Sequence, residues 1–205
     1  MNYAEGKAIV MHAMDRLRMV GLVDFSVMLY LIHLSRIKTF QVSRLEYPRR
    51  QIETLLFSYD IEDSEILKVI FKIFNDDIVK IDSQAFYDVL NPLAEINEEW
   101  YSKHYISIFE ELLFKIVSNQ YSYEFLQPLE ITKLISKLSG YNKNGVVYNP
   151  FAGLASYGIE MNVSSGYIAE ELNERTWAIG VLRLLAHDIN TDNYICQDSI
   201  LKWRS

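Results

Sequence analysis

The stretch Val147-Tyr148-Asn149-Pro150-Phe151-Ala152-Gly153-Leu154-Ala155-Ser156-Tyr157-Gly158 runs from an apolar strand-like start into a turn of small residues and then into a helical pattern. Small side chains let a ligand come close to the backbone, and the helix that follows presents free amide groups at a positive dipole end. The strand signal comes three times, as Val146-Val147-Tyr148, Tyr167-Ile168-Ala169 and Tyr194-Ile195-Cys196. Helical segments over about 153–162 and 174–188 separate them. Short apolar strands alternating with helices predict an α/β fold with a parallel sheet. In such a sheet the ligand crevice lies at the carboxyl ends of the strands, which puts residues 149–155 on its floor.

Two acids complete that crevice. Glu171 ends the second strand, twenty-two positions after Asn149, where a carboxylate accepts hydrogen bonds from the two ribose hydroxyls of a nucleoside. Asp198 is expected to end the third, where a short acid reaches the amino group of an adenine. A competing pattern is present as well. Gly153, Ala155 and Gly158 fit a loosened G-x-A-x-x-G fingerprint, the mark of an NAD(P)-binding oxidoreductase domain. Residues 149–152 argue against it, because in a dinucleotide domain the first glycine follows the strand almost directly.

Upstream the character changes. After Gly21 there is no glycine until Gly140, so the first stretch reads as helical, glycine being costly inside helices. Apolar faces at helical spacing bear this out: Ile9, Ala13, Leu17 and Val20; Ile66, Val69, Ile70, Ile73 and Phe74 after the capping candidates Asp63 and Ser64; and Tyr105, Ile108, Phe109, Leu112, Leu113 and Ile116. Trp100, Tyr101 and Tyr105 have no alternating basic residues beside them, so core packing accounts for them better than base stacking does. One more amphipathic helix opens with Pro128 in its first turn, carries Ile131, Leu134, Ile135 and Leu138, and closes at Gly140. Arg44, Arg49 and Arg50 around Pro48 are the one concentrated basic spot of the helical half, and a solvated loop explains them at least as well as a phosphate contact.

Composition narrows the function classes. The 205 residues are 50% apolar, enough to bury a core without staples. Twenty Lys and Arg against 27 Asp and Glu leave a net charge of -7, which excludes a basic surface wrapped around nucleic acid. Cys196 is the single cysteine, and Glu5 and Lys7 interrupt the start where a signal peptide would be apolar, so a cytoplasmic protein is expected. The apolar run at residues 27–34 is too short to span a bilayer. His12, His33, His104 and His187 are scattered, with no i, i+4 pair, and predict no zinc site.

Four ordered pieces of residues 125–203 resemble the cofactor-binding half of adenine-specific DNA methyltransferases, in particular the modification subunit of type I restriction systems. Phe125-Leu126-Gln127-Pro128 is similar to the family's F-x-T-P element, and residues 149–156 to D-P-F-A-G-x-G-S. Glu171-Leu172-Asn173 resembles the ribose motif and Gln197-Asp198-Ser199 the adenine-contacting G-D-S. The resemblance implies a helical N-terminal domain over 1–120 and, over 121–205, the first part of a Rossmann-like domain that binds S-adenosyl methionine. Its implied cofactor contacts are Phe125, Gln127, Pro128, Asn149, Pro150, Phe151, Ala152, Gly153, Ala155, Glu171, Leu172, Asp198 and Ser199. It also implies DNA as substrate, reached by base flipping, with specificity and restriction subunits as partners.

Departures from the family pattern bear on these expectations. Asn149 stands where the family has aspartate, Gln127 for threonine, Ala155 for the last glycine of its motif and Gln197 for the glycine of the third motif. The family's catalytic N-P-P-[FYW] follows a fourth strand, and no such segment follows Asp198 here; Asn91-Pro92-Leu93 lacks the second proline and reads as a helix boundary. An N-terminal fragment without a complete catalytic site is therefore expected. Three parallel strands are too few for the family's sheet, so its central strand would become an exposed, apolar edge, packed against the helical half, a neighbouring chain or another copy. The alternative from a different class is a non-catalytic assembly module that keeps a degenerate methyltransferase fold.

Overall fold

The computed structural model describes residues 1–19, 25–37, 42–58, 60–118, 126–142, 145–163 and 166–202. The chain divides into two compact units, Met1–Ile116 and Val117–Ser205. Helices α1 (Tyr3–Met19), α2 (Val27–Ile37), α3 (Pro48–Ser58), α4 (Ser64–Ile78), α5 (Ser83–Leu93) and α6 (Glu98–Val117) build the first. The second runs α7 (Leu129–Leu138), β1 (Val147–Asn149), α8 (Ser156–Glu160), β2 (Tyr167–Glu171), α9 (Glu174–Ala186) and β3 (Tyr194–Cys196). No helix among the described residues is long and apolar enough to cross a membrane.

In the helical unit α2 is apolar on all sides and is buried on all sides from Val27 through Ser35, as a central helix must be. It packs on α4 and α5, with α1 on α5 and α3 on α4. Tyr30 reaches across from α2 and donates its hydroxyl to the Leu67 carbonyl at 3.0 Å. His33 Nδ1 lies 2.8 Å from the Tyr105 hydroxyl, and burial, helped by the nearby Arg36 charge, pushes its pKa down to about 3. The face expected on α6 is buried throughout, with Trp100 and Tyr101 in the core.

Three details of this unit differ from the sequence reading. On α4 the buried apolar residues are Leu67, Ile70, Phe71, Phe74 and Ile78, while Val69 is exposed, so the packed stripe is rotated about one residue from the predicted one. The helix has apolar residues on more than one stripe, and the set containing Phe71 and Phe74 offers the larger area to bury. Asp63 precedes α4 in a left-handed conformation and makes no side-chain cap, whereas Asp82 caps α5 by accepting from the Ala85 amide at 2.8 Å. Arg49 and Arg50 lie on α3, not in a loop, because Pro48 opens that helix with its preset φ. Val20 lies outside the described residues.

In the second unit the three strands are parallel in the order β1-β2-β3, with Asn149 opposite Ala169 and Glu171 opposite Cys196. One face of the sheet meets the helices: Tyr194 touches Trp177 of α9, and Tyr167 crowds Gly158 of α8. β1 is an edge, and Val146 beside it is two-thirds exposed. The first strand covers 147–149, one residue later than expected, and β3 stops at Cys196, so Asp198 lies two residues past the strand. Pro128 sits at the N-cap of α7 and the helix starts at Leu129. Ile131, Leu134, Ile135 and Leu138, the stripe that defines α7 as amphipathic, are 41–76% exposed.

Candidate functional site

The site grows from the exit of β1. Asn149 makes an Asx turn: its Oδ1 accepts from the Phe151 amide at 3.2 Å, and its Nδ2 donates to the Tyr167 hydroxyl at 3.3 Å. The chain then bends back on β2, where the Ala152 amide donates to the Glu170 carbonyl at 2.8 Å. Gly153 and Ala155 both adopt the left-handed conformation, at φ 54 and 59. Glycine does so freely, whereas alanine pays roughly 1–2 kcal/mol. The sequence reading began the helix at Gly153. These two dihedrals delay it to Ser156 and leave 150–155 as an open turn.

What holds the turn is a set of bonds from below. The Tyr194 hydroxyl donates to the Gly153 carbonyl, and Arg183, buried on α9, donates to the Leu154 carbonyl and the Ser156 hydroxyl, both at 3.0 Å. A Cβ on Gly180 would lie 2.8 Å from the Gly153 carbonyl, so α9 reaches the turn only because that position has no side chain. Its amides are engaged as well: Phe151 donates to Asn149, Ala152 to the Glu170 carbonyl, Gly153 to Glu171 and Ala155 to the Ala152 carbonyl. Sequence reasoning missed Arg183, Tyr194 and Tyr167. Arg183 carried a signal, as the lone cation within Val181-Leu182-Arg183-Leu184-Leu185.

Glu171 closes the turn from β2. Its Oε2 accepts from the Gly153 amide and its Oε1 from the Asn173 amide, each at 2.9 Å. A carboxylate has about four acceptor positions, so each oxygen keeps one. Asn173 caps α9 through the amides of Arg175 and Thr176. Past β3, Asp198 Oδ1 accepts from Ile200 and Leu201 at 2.9 and 3.1 Å, which fixes a turn and leaves Oδ2 for another donor. The Gln197 amide donates to the Glu171 carbonyl at 3.0 Å, so the chain enters Asp198 directly beside β2. Burial raises the Tyr167 pKa to about 12 and pushes that of Tyr194 up as well, so both phenols stay protonated, Tyr194 as the donor to Gly153 and Tyr167 as the acceptor from Asn149.

Of the other residues singled out in the sequence, Gln127 Nε2 donates to the Tyr157 hydroxyl at 2.7 Å and ties the lead-in of α7 to α8. Pro128, Phe151 and Leu172 are exposed, whereas Ala152, Ala155 and Ser199 are buried. Pro150 lies half-buried in the turn. Phe125 lies outside the described residues. Gly153 and Glu171 are thus joined directly, and Asp198 is brought alongside through the strand register without bonding either. On the opposite face of β2 the buried Glu170 accepts from Gln197 Nε2 at 2.7 Å and from the Tyr148 hydroxyl at 3.3 Å.

Among solved structures the chain is similar to the methyltransferase subunit of a type I restriction-modification system from Streptococcus thermophilus, with a TM-score of 0.64 and 15% identity. The match takes in 100% of this chain and 61% of that one, so the chain spans about three-fifths of its neighbour's length. At that identity the likeness is one of fold alone. No family model and no curated protein matches the sequence.

Proposed function

We propose that the second unit is the S-adenosyl-methionine-binding part of a DNA adenine methyltransferase of the restriction-modification kind. The observation that carries this reading is the hydrogen bond between the Glu171 carboxylate, at the end of β2, and the Gly153 amide, in the turn after β1. It joins at one spot the two elements a nucleoside needs, an acid for the ribose and a backbone turn that has no side chain at Gly153. The nucleoside half of the cofactor fits the residues present. A Cβ on Gly153 would meet nothing within 4 Å, so space opens beside the turn, and Glu171 and Asp198 both retain acceptor positions. When bound, the cofactor supplies an electrophilic methyl on a sulfonium.

The chain's own residues bind and orient. Glu171 takes the ribose hydroxyls, Asp198 the adenine amino group, and the exposed Phe151 ring offers an apolar surface at the rim. By the resemblance, Gln127 and Pro128, with Phe125 of the same element, which lies outside the described residues, serve the methionine side, Ala152 and Ala155 belong to the turn, Leu172 goes with the ribose and Ser199 with the adenine. The dinucleotide reading is weaker, because its fingerprint needs a helix that opens at the first glycine and here α8 opens three residues later.

One observation favours a second reading, the assembly module. Both polar atoms of Asn149 are engaged locally, by Phe151 and Tyr167, and this side chain brings no charge to the ammonium of the methionine. Calorimetric titration with S-adenosyl methionine separates the two. Micromolar binding that disappears in Glu171→Ala supports the cofactor site; silence at millimolar ligand overturns it in favour of the module.

A further inference from the structure

The helical unit contains a cavity of about 490 Å³ between the start of α3 and the end of α4. Its floor is apolar and buried, formed by Pro48, Ile78 and Ile81. Its mouth is apolar and exposed, with Tyr47 at 78% and Val79 at 56% exposure. The amides at the end of α4 are already engaged: those of Val79, Lys80 and Ile81 donate to the carbonyls of Asn75, Asp77 and Ile78. The charged side chains of the lining, Arg49, Arg50 and Glu53, all come from α3. Arg49 is bound by Glu53 at 2.9 Å. Arg50 lines the same cavity and has no ion-pair or hydrogen-bond partner among the described residues.

This combination is selective. The volume lies in the ~300–1,000 Å³ range of small-molecule sites, whose walls are mainly apolar with a few placed polar groups. The apolar floor favours an aryl or alkyl body, and the uncompensated Arg50 guanidinium favours one anionic group held beside it. A polyanion is poorly served, since a single unpaired cation here gives little of the multiple phosphate neutralisation that nucleic-acid affinity rests on. We propose that this cavity is a binding site for a small amphipathic anion, an apolar body with a single carboxylate, sulfonate or phosphate. The proposal is independent of the cofactor reading of the second unit.

The test uses the full chain labelled with ¹⁵N and 8-anilinonaphthalene-1-sulfonate as the probe, followed by amide shift perturbation. The expected result is saturable shifts at Tyr47, Arg50, Val79 and Ile81, at least tenfold weaker binding in Arg50→Glu, and a comparable loss with the uncharged N-phenyl-1-naphthylamine. Val79→Trp at the mouth, which narrows the cavity and leaves the arginines in place, should also abolish those shifts. Perturbations confined to other residues, or equal affinity for the charged and uncharged probes, would overturn it. Both variants lie at exposed positions, and an unchanged spectrum elsewhere shows that each is folded.

Discussion

Helices α6 and α7 follow the same sequence grammar, apolar residues three and four apart, and meet opposite fates. On α6 Tyr105, Ile108, Phe109, Leu112, Leu113 and Ile116 are all buried in the helical unit. On α7 Ile131, Leu134, Ile135 and Leu138 are exposed, and Thr132 is the one buried residue. Periodicity thus declares that a helix has an apolar face, while burial depends on what else the chain brings to it. The energetic consequence is that equal deletions on the two helices should differ severalfold.

The largest effect follows directly. Leu112→Ala removes a fully buried side chain and should cost about 3–4 kcal/mol, the sum of lost transfer energy and a cavity. Leu134→Ala, from a side chain 53% exposed, should stay within about 0.5 kcal/mol. Urea denaturation checks both, and the contrast breaks if Leu134→Ala costs more than about 2 kcal/mol.

Next in size is Arg183→Met. It strands the Leu154 carbonyl and the Ser156 hydroxyl, so a loss of about 2–3 kcal/mol is expected in the second unit. Two indoles report on the units separately: Trp177 Nε1 donates to the Tyr194 carbonyl, and Trp100 Nε1 to the Asn2 carbonyl. The Trp177 resonance should disappear at lower urea in the variant while Trp100 stays as in the parent. Equal shifts of both would show that the effect is not local to the turn.

A smaller effect is set by pH and belongs to the helical unit. His33 has a folded pKa of about 3, below its ordinary 6.5. Above 6.5 the ring is neutral in both states and its contribution is complete. As pH falls below 6.5, the unfolded chain gains a proton that the folded one refuses, and stability drops by about 1.4 kcal/mol per pH unit until the folded pKa is reached. Urea midpoints at pH 7, 6 and 5 measure the slope, which His33→Gln should largely remove in that window. An unchanged slope would mean that other groups carry it.

The sequence made some of this legible for clear reasons. The three strands and their parallel order followed from short apolar runs spaced by helices, and Glu171 fell at a strand end because the alternation stops there. The geometry of the turn did not follow. Ala155 has no intrinsic preference for a left-handed φ and is held there by Arg183 and Tyr194, which are 28 and 39 positions away. The start of α8 and the place of Asp198 beyond β3 depend on such long-range bonds as well. The rotated face of α4 was hidden because its sequence carries apolar residues on neighbouring stripes, and only packing chooses between them.

The smallest predicted effect is the most direct test of the contrast between α6 and α7. Replacing Leu134 and Leu138 together by Lys places two charges on side chains that are 53% and 76% exposed. The helix keeps its other supports: the Thr132 hydroxyl on the Pro128 carbonyl at 3.2 Å, and the Gln127 bond to Tyr157. A lysine at position 138 also sits favourably at the negative end of the helix, which offsets the mild repulsion of two like charges four residues apart. The net change should be under about 0.5 kcal/mol. A loss several times larger, measured by urea denaturation at two protein concentrations, would mean that the stripe is covered in solution, and dependence on concentration would identify another copy as the cover.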